Sequence, residues 1–189
     1  MLSDKIFKQI TDIYGTPEID MFASRLNYRL PKYVSWKPDP GSIAVDAFST
    51  NWTNIYILCF PPFSVIWKTL AKISQERVEA VLIAPIWPTQ SWFPALMRMV
   101  IEIPLTFTSK IQHLKLPTHP NQPHPLSPKL RMMAARLSGD QLKPKICRER
   151  LSTYYSLHGE TIPSNGTSHH YKDGKSFVVN GVKIPTRQI

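Results

Sequence analysis

Three apolar runs of strand length, at 54–59, 79–84 and 102–107, are separated by segments of helical period and punctuated by proline. Between the first two, Ser64 to Glu76 places Val65, Ile66, Trp67, Leu70 and Ile73 at helical spacing among charges. Between the second and third, Ser91 to Ile101 does the same, with Pro94 tolerable only in its first turn. Strands alternating with helices on short turns call for βαβ units, right-handed crossovers and a parallel-cored sheet. Residues 1–108 are therefore expected to be α/β, with Pro104 placing the third run at a sheet edge.

The same logic extends toward the N-terminus. Ser3 can cap a helix carrying Leu2, Ile6, Phe7, Ile10 and Ile13, which Gly15 and Pro17 close. Glu18 to Phe22 reads as a short strand or loop, and 27–41, with Pro31, Pro38 and Pro40, as an irregular connection.

A parallel core puts the strand ends at Pro61-Pro62 and at Pro85 on one edge, where open α/β sheets bind ligands. The turn there, Cys59-Phe60-Pro61-Pro62-Phe63, is rigid because two prolines fix two φ angles and remove two backbone donors. It reads either as part of a ligand-binding edge or as a structural turn with Phe60 and Phe63 in the core. Trp87 and Trp92 line the same cleft or fill core space. Asp46, before Ala-Phe, suits an N-cap or turn. Cys59, among bulky apolar neighbours, is a buried and inert thiol.

The formal net charge is +10, and it is unevenly spread. Residues 1–108 hold ten Lys/Arg against nine Asp/Glu, whereas 109–189 hold thirteen against four. The cations Lys129, Arg131, Arg136, Lys143, Lys145, Arg148 and Arg150 are the candidate contacts for a polyanion, with nucleic acid, DNA or RNA, the expected partner. A solvated basic face is the plain alternative.

Prolines at 117, 120, 123, 125 and 128 make a linker of 109–128, followed by a basic tail over 129–189. Within that stretch helices are expected over 127–137 and 143–157, and Asn180-Gly181 between β-branched runs predicts a type I′ hairpin. Two cysteines make no disulfide scaffold. No clustered carboxylates form a metal site, and His119, His124, His169 and His170 lie in the linker or tail. No run approaches the ~20 apolar residues of a membrane helix, and no signal peptide is evident, so an intracellular protein, nuclear or cytoplasmic, is expected.

The order Thr16-Pro17, Asp20-Met21-Phe22-Ala23, Asn27, Asp46-Ala47-Phe48, Trp52, Phe60-Pro61-Pro62-Phe63 and Ala84-Pro85 to Trp92-Phe93 carries a resemblance. It resembles the segment downstream of reverse transcriptase and RNase H in DIRS-type retroelements, those that integrate with a tyrosine recombinase. The match spans residues 13–108, and Arg136 to Gly139 and Phe177 to Gln188 resemble that family's tail. More distantly, the block is similar to phage-type Dam enzymes, adenine-N6 DNA methyltransferases that use S-adenosylmethionine.

The second resemblance implies a Rossmann-like, methyltransferase-type sheet with flanking helices. It also implies that Phe60, Pro61, Pro62 and Phe63 occupy the catalytic Asp/Asn-Pro-Pro-Tyr/Phe position, with Asp20 and Asp46 at the cofactor. A flipped adenine would stack on the aromatic residue while the acidic or amide side chain accepts from its amino group. Here Phe60 replaces that acceptor, a loss that typically costs ~10²–10³ in rate. Residues 16–60 contain only Gly41, so no glycine-rich turn supports a cofactor site.

Three functions follow from these resemblances. The first is a methyltransferase-like domain, impaired in catalysis and without a cofactor, that binds nucleic acid or serves as a structural part of a polymerase polyprotein. The second is a working adenine-N6 methyltransferase that tolerates Phe60 and uses S-adenosylmethionine. The third is a structural extension packing on an upstream reverse transcriptase/RNase H region, with Met1 an internal start.

Overall fold

The first helix of the computed structural model, which describes residues 2–108, 130–157 and 176–189, follows directly from its ends. The Oγ of Ser3 accepts the amide of Ile6 at 3.4 Å and starts α1 (Asp4–Tyr14). Gly15 stops it at φ 80°, a value that favours glycine. Ile6, Ile10 and Tyr14, four residues apart, form its buried face.

The chain continues through β1 (Ile19–Ala23), β2 (Tyr33–Ser35), β3 (Ala44–Val45), β4 (Ile57–Cys59), α2 (Ile66–Glu76), β5 (Glu79–Pro85), α3 (Trp92–Arg98) and β6 (Leu105–Thr108). After the undescribed residues come β7 (Arg131–Ser138), α4 (Leu142–Leu157), β8 (Ser176–Val179), β9 (Val182–Pro185) and β10 (Arg187–Gln188). Among the described residues, one sheet runs β10-β6-β7-β5-β4-β1-β2-β3. Strands β1 to β5 are mutually parallel, and β10 is parallel to β6. Only β7 is reversed, antiparallel to β5 on one side and β6 on the other. The protein is thus mixed α/β, with a mostly parallel central sheet and helices on both faces, compatible with a Rossmann-like fold.

Alternation along β5 divides the core. Ala80, Leu82 and Ala84 face α2 and α3, whereas Val81 and Ile83 face α1. Such a strand is buried on both faces and reads as a continuous apolar run.

Strand β7 corrects the helix expected over 127–137. Met133, Ala135 and Leu137 enter one core and Met132 and Ala134 the other, so the helical spacing of Leu130, Met133, Ala134 and Leu137 was coincidental. A run buried on both faces carries no period that separates strand from helix. The sheet consequently extends beyond residue 108, and part of the expected basic tail is interior strand. Two further expectations change. Strand β6 is not an edge, since β10 pairs with its outer side, Pro104 lying just before it with its carbonyl accepting the Arg187 amide at 2.9 Å. The irregular connection at 27–41 contains β2.

The helix expected over 143–157 is α4. The hairpin is β8–β9, with Asn180 at φ 49° and Gly181 at φ 74°, as a type I′ turn needs. It packs on the domain through Phe177, whose ring meets Phe93 at 5.3 Å. The expected linker 109–128, Lys129, His119, His124, His169 and His170 lie outside the described residues.

Candidate functional site

Strands β1 to β4 end at one edge, and the residues that follow them converge. Ser24 and Asn27 follow β1, Trp36 follows β2, Asp46 and Phe48 follow β3, and Phe60 to Phe63 follow β4. Together they border an open cleft of about 720 Å³. Its walls are mainly aromatic, from Phe22, Trp36, Phe48, Phe60 and Phe63.

Each wall is fixed locally. Phe22 meets Phe48 edge-on at 5.5 Å, and Trp87 supports Phe63 from outside the cleft at 5.1 Å. Asp46 sits at φ 60° and its Oδ1 accepts the Phe48 amide at 3.0 Å, which is the capping role, although the residue still borders the cleft. The Trp52 amide donates to Glu76 Oε2 at 2.6 Å, and Glu76 is paired with Lys72, so this wall is tied to α2.

The Pro62 carbonyl accepts the Val65 amide at 3.0 Å and opens the 3₁₀ turn Phe63–Val65 that leads into α2. Phe60 and Phe63 are half-buried, each packing on the core and facing the cleft. The structural-turn reading holds in that both rings pack on the core, and both also border the cleft. Trp92 is core, and neither it nor Trp87 borders the cleft.

Asp20 lies elsewhere. It borders a separate small cavity of about 20 Å³ on the α1 side, with Phe22, Asn27 and Phe60 standing between that cavity and the cleft. Burial pushes its carboxyl up to about 6, although the amides of Arg29 (3.1 Å) and Phe22 (3.4 Å) and the charge of Arg29 pull the other way. Cys59 is fully buried, and desolvation, reinforced by Asp20, raises its thiol well above the ordinary value.

The chain matches no protein-family model and no curated protein.

The candidate cations separate into two sets. Arg136 is held between Glu79 (2.9 Å) and Glu102 (2.5 Å) with its guanidinium 5.1 Å from the Tyr56 ring, at the strand edge opposite the cleft. Its guanidinium is thus engaged by two carboxylates and a ring. Lys143 joins the same network through Glu79 at 2.5 Å. Lys145, Arg148 and Arg150 lie on α4, and Arg131 begins β7 with its carbonyl accepting the Ile86 amide at 2.9 Å.

Sequence reasoning missed Trp36, 73% exposed at the cleft mouth, and the lysines above the aromatic walls. Lys37 Nζ lies 4.2 Å from the Trp36 ring and Lys68 Nζ 4.0 Å from that of Phe48. A lone tryptophan in a proline-rich connection was the available signal. Among the described residues, no group of His, Cys, Asp and Glu could hold a metal, and no helix is long and apolar enough to cross a membrane.

Proposed function

We propose that the protein is a methyltransferase-like domain of retroelement type that binds through its cleft and its cations without transferring a methyl group. The observation that carries this reading is Phe60. It stands at the end of β4, in the wall of the cleft, where amino-group methylation needs a hydrogen-bond acceptor. The sheet order supports the scaffold: the run β3-β2-β1-β4-β5 is that of a doubly wound, Rossmann-like sheet. The cleft retains flat apolar walls for a planar heteroaromatic group, with Ser24, Asn27 and Asp46 as the polar side chains on its border. Nucleic acid is the partner that the +10 charge favours.

Two measurements test the reading. Titration calorimetry with S-adenosylmethionine, paired with a methylation assay on DNA, should show no methyl transfer by the native protein. Turnover by the native protein would establish the working methyltransferase instead. Cofactor heat without turnover, with activity gained by Phe60→Asp, marks a decayed catalytic site. Filter binding of DNA and RNA across a salt series tests the second half, and salt-insensitive or absent binding overturns it.

A further inference from the structure

A second concavity, of about 620 Å³, runs along the outer face of the α2–α3 layer and is distinct from the cleft. Its upper end is Trp67, in the first turn of α2 and 55% exposed. The apolar floor is Leu70, Ala71 and Met99. The lower end collects three cations from two elements, Arg98 from α3 and Lys145 and Arg148 from α4. Arg148 is oriented by a 2.8 Å hydrogen bond to the Arg98 carbonyl. No carboxylate borders the groove among the described residues. Glu149 reaches Lys145 only at 3.9 Å, with both side chains mostly exposed.

The groove is continuous with the cleft along the chain. Val65 borders the cleft and Trp67, two residues later, borders the groove. From Trp67 to Ser74, α2 descends about 10 Å, at 1.5 Å per residue, toward the cations.

We propose that this groove is the track for single-stranded nucleic acid, with one base stacked on Trp67 and the following phosphates held by Arg98, Lys145 and Arg148. The assignment rests on the nucleic-acid reading above and gives it a location. An aromatic face beside a row of cations is the pairing that unstructured strands use, because every base has a π-face and every linkage a charge. An acidic peptide matches the cations but leaves the exposed indole without a partner. Arg136, held by two glutamates on the other side of the sheet edge, plays no part.

The test is fluorescence anisotropy with labelled oligo-dT and oligo-U across a salt series, on the full chain. Trp67→Ala should weaken binding by about 5- to 150-fold, the range for one lost base stack, with the salt slope unchanged. Lys145→Gln with Arg148→Gln should lower the slope by about 1.4, at about 0.7 per cation on a single strand. Lys5→Gln, exposed on α1 at the opposite face, should leave both quantities alone. Native binding that none of the groove variants alters refutes the groove and leaves the nucleic-acid reading standing. No native binding refutes both. Equal affinity for polyglutamate, insensitive to Trp67→Ala, assigns the groove to an acidic protein and overturns the proposal. Thermal melts of each variant confirm that the fold persists.

Discussion

The indole Nε1 of Trp52 donates to the carbonyl oxygen of Ala47 at 2.9 Å, and this bond fastens one wall of the cleft to the core. Trp52 is fully buried and Ala47 separates Asp46 from Phe48, so the cleft's shape depends on a residue that never faces it. Trp52→Phe keeps a ring but removes the donor and leaves a void. Its expected cost is about 1–3 kcal/mol, read as a lower melting temperature. A ligand bound in the cleft should be lost before the fold is.

Asp20 gives a pH signature. Its carboxyl is raised from 3.8 to about 6 in the fold, so the folded state binds the proton more tightly. The stability associated with the protonated form is fully present below the unfolded value and is lost as pH rises through about 6. The difference of about two units corresponds to about 3 kcal/mol. Asp20→Asn should therefore gain on the native protein by up to that amount between pH 4 and 7. Its loss of one acceptor for the Phe22 and Arg29 amides is independent of pH. Urea melts at four pH values measure this, and a difference that stays flat with pH rules it out.

Gly139 is needed for close approach. A Cβ there would lie 1.9 Å from the Ile73 carbonyl oxygen and 2.8 Å from the Arg77 Cα, both backbone atoms that cannot rotate away. Gly139→Ala should cost about 2–3 kcal/mol by forcing the end of α2 off the end of β7. Gly41→Ala is the contrast, since its Cβ would meet the Tyr33 hydroxyl, the end of a side chain, at 2.7 Å. Its melting temperature should fall less.

Arg136→Gln separates structure from binding. Burial works against the charged Glu79, but hydrogen bonds from Lys143 and Arg136, and their charges, hold its carboxyl below the usual 4.5. A lowered carboxylate contributes stability above its unfolded value and loses it as pH falls through the folded one. The variant should melt lower than the native protein at pH 7, with the gap closing in acid, and should bind oligonucleotides with unchanged affinity.

What the sequence revealed and what it concealed follow from how local each signal was. The β4–α2–β5–α3 block was legible because its periods change sharply at proline turns, and the hairpin because Asn180-Gly181 specifies its own geometry. Strands β2 and β3 are three and two residues long, too short for any alternation to register. Strand β7 was hidden by burial on both faces.

The site divides the same way. Phe60 to Phe63 could be placed at the cleft because strand ends gather on one edge, whereas Asp46 was placed there by resemblance. Asp20 was placed at the cofactor by resemblance, yet it borders a cavity on the α1 side, a position that only strand register fixes. Arg136 was counted among the surface cations because Glu79 and Glu102, its partners, are 57 and 34 residues away in sequence. Lys145 and Arg148 were visible from charge, while Arg98, which completes the groove with them, comes from another helix.

The reversed strand β7 also sets the order in which the molecule can be made. A ribosome that has delivered residues 1–108 has emitted β5 and β6 but not the strand that lies between them. Until residues 131–138 emerge, the β5 edge lacks the strand that covers it and is open to pairing with another strand. Vectorial synthesis thus leaves the central sheet for late completion, and a fragment truncated at residue 108 should be insoluble.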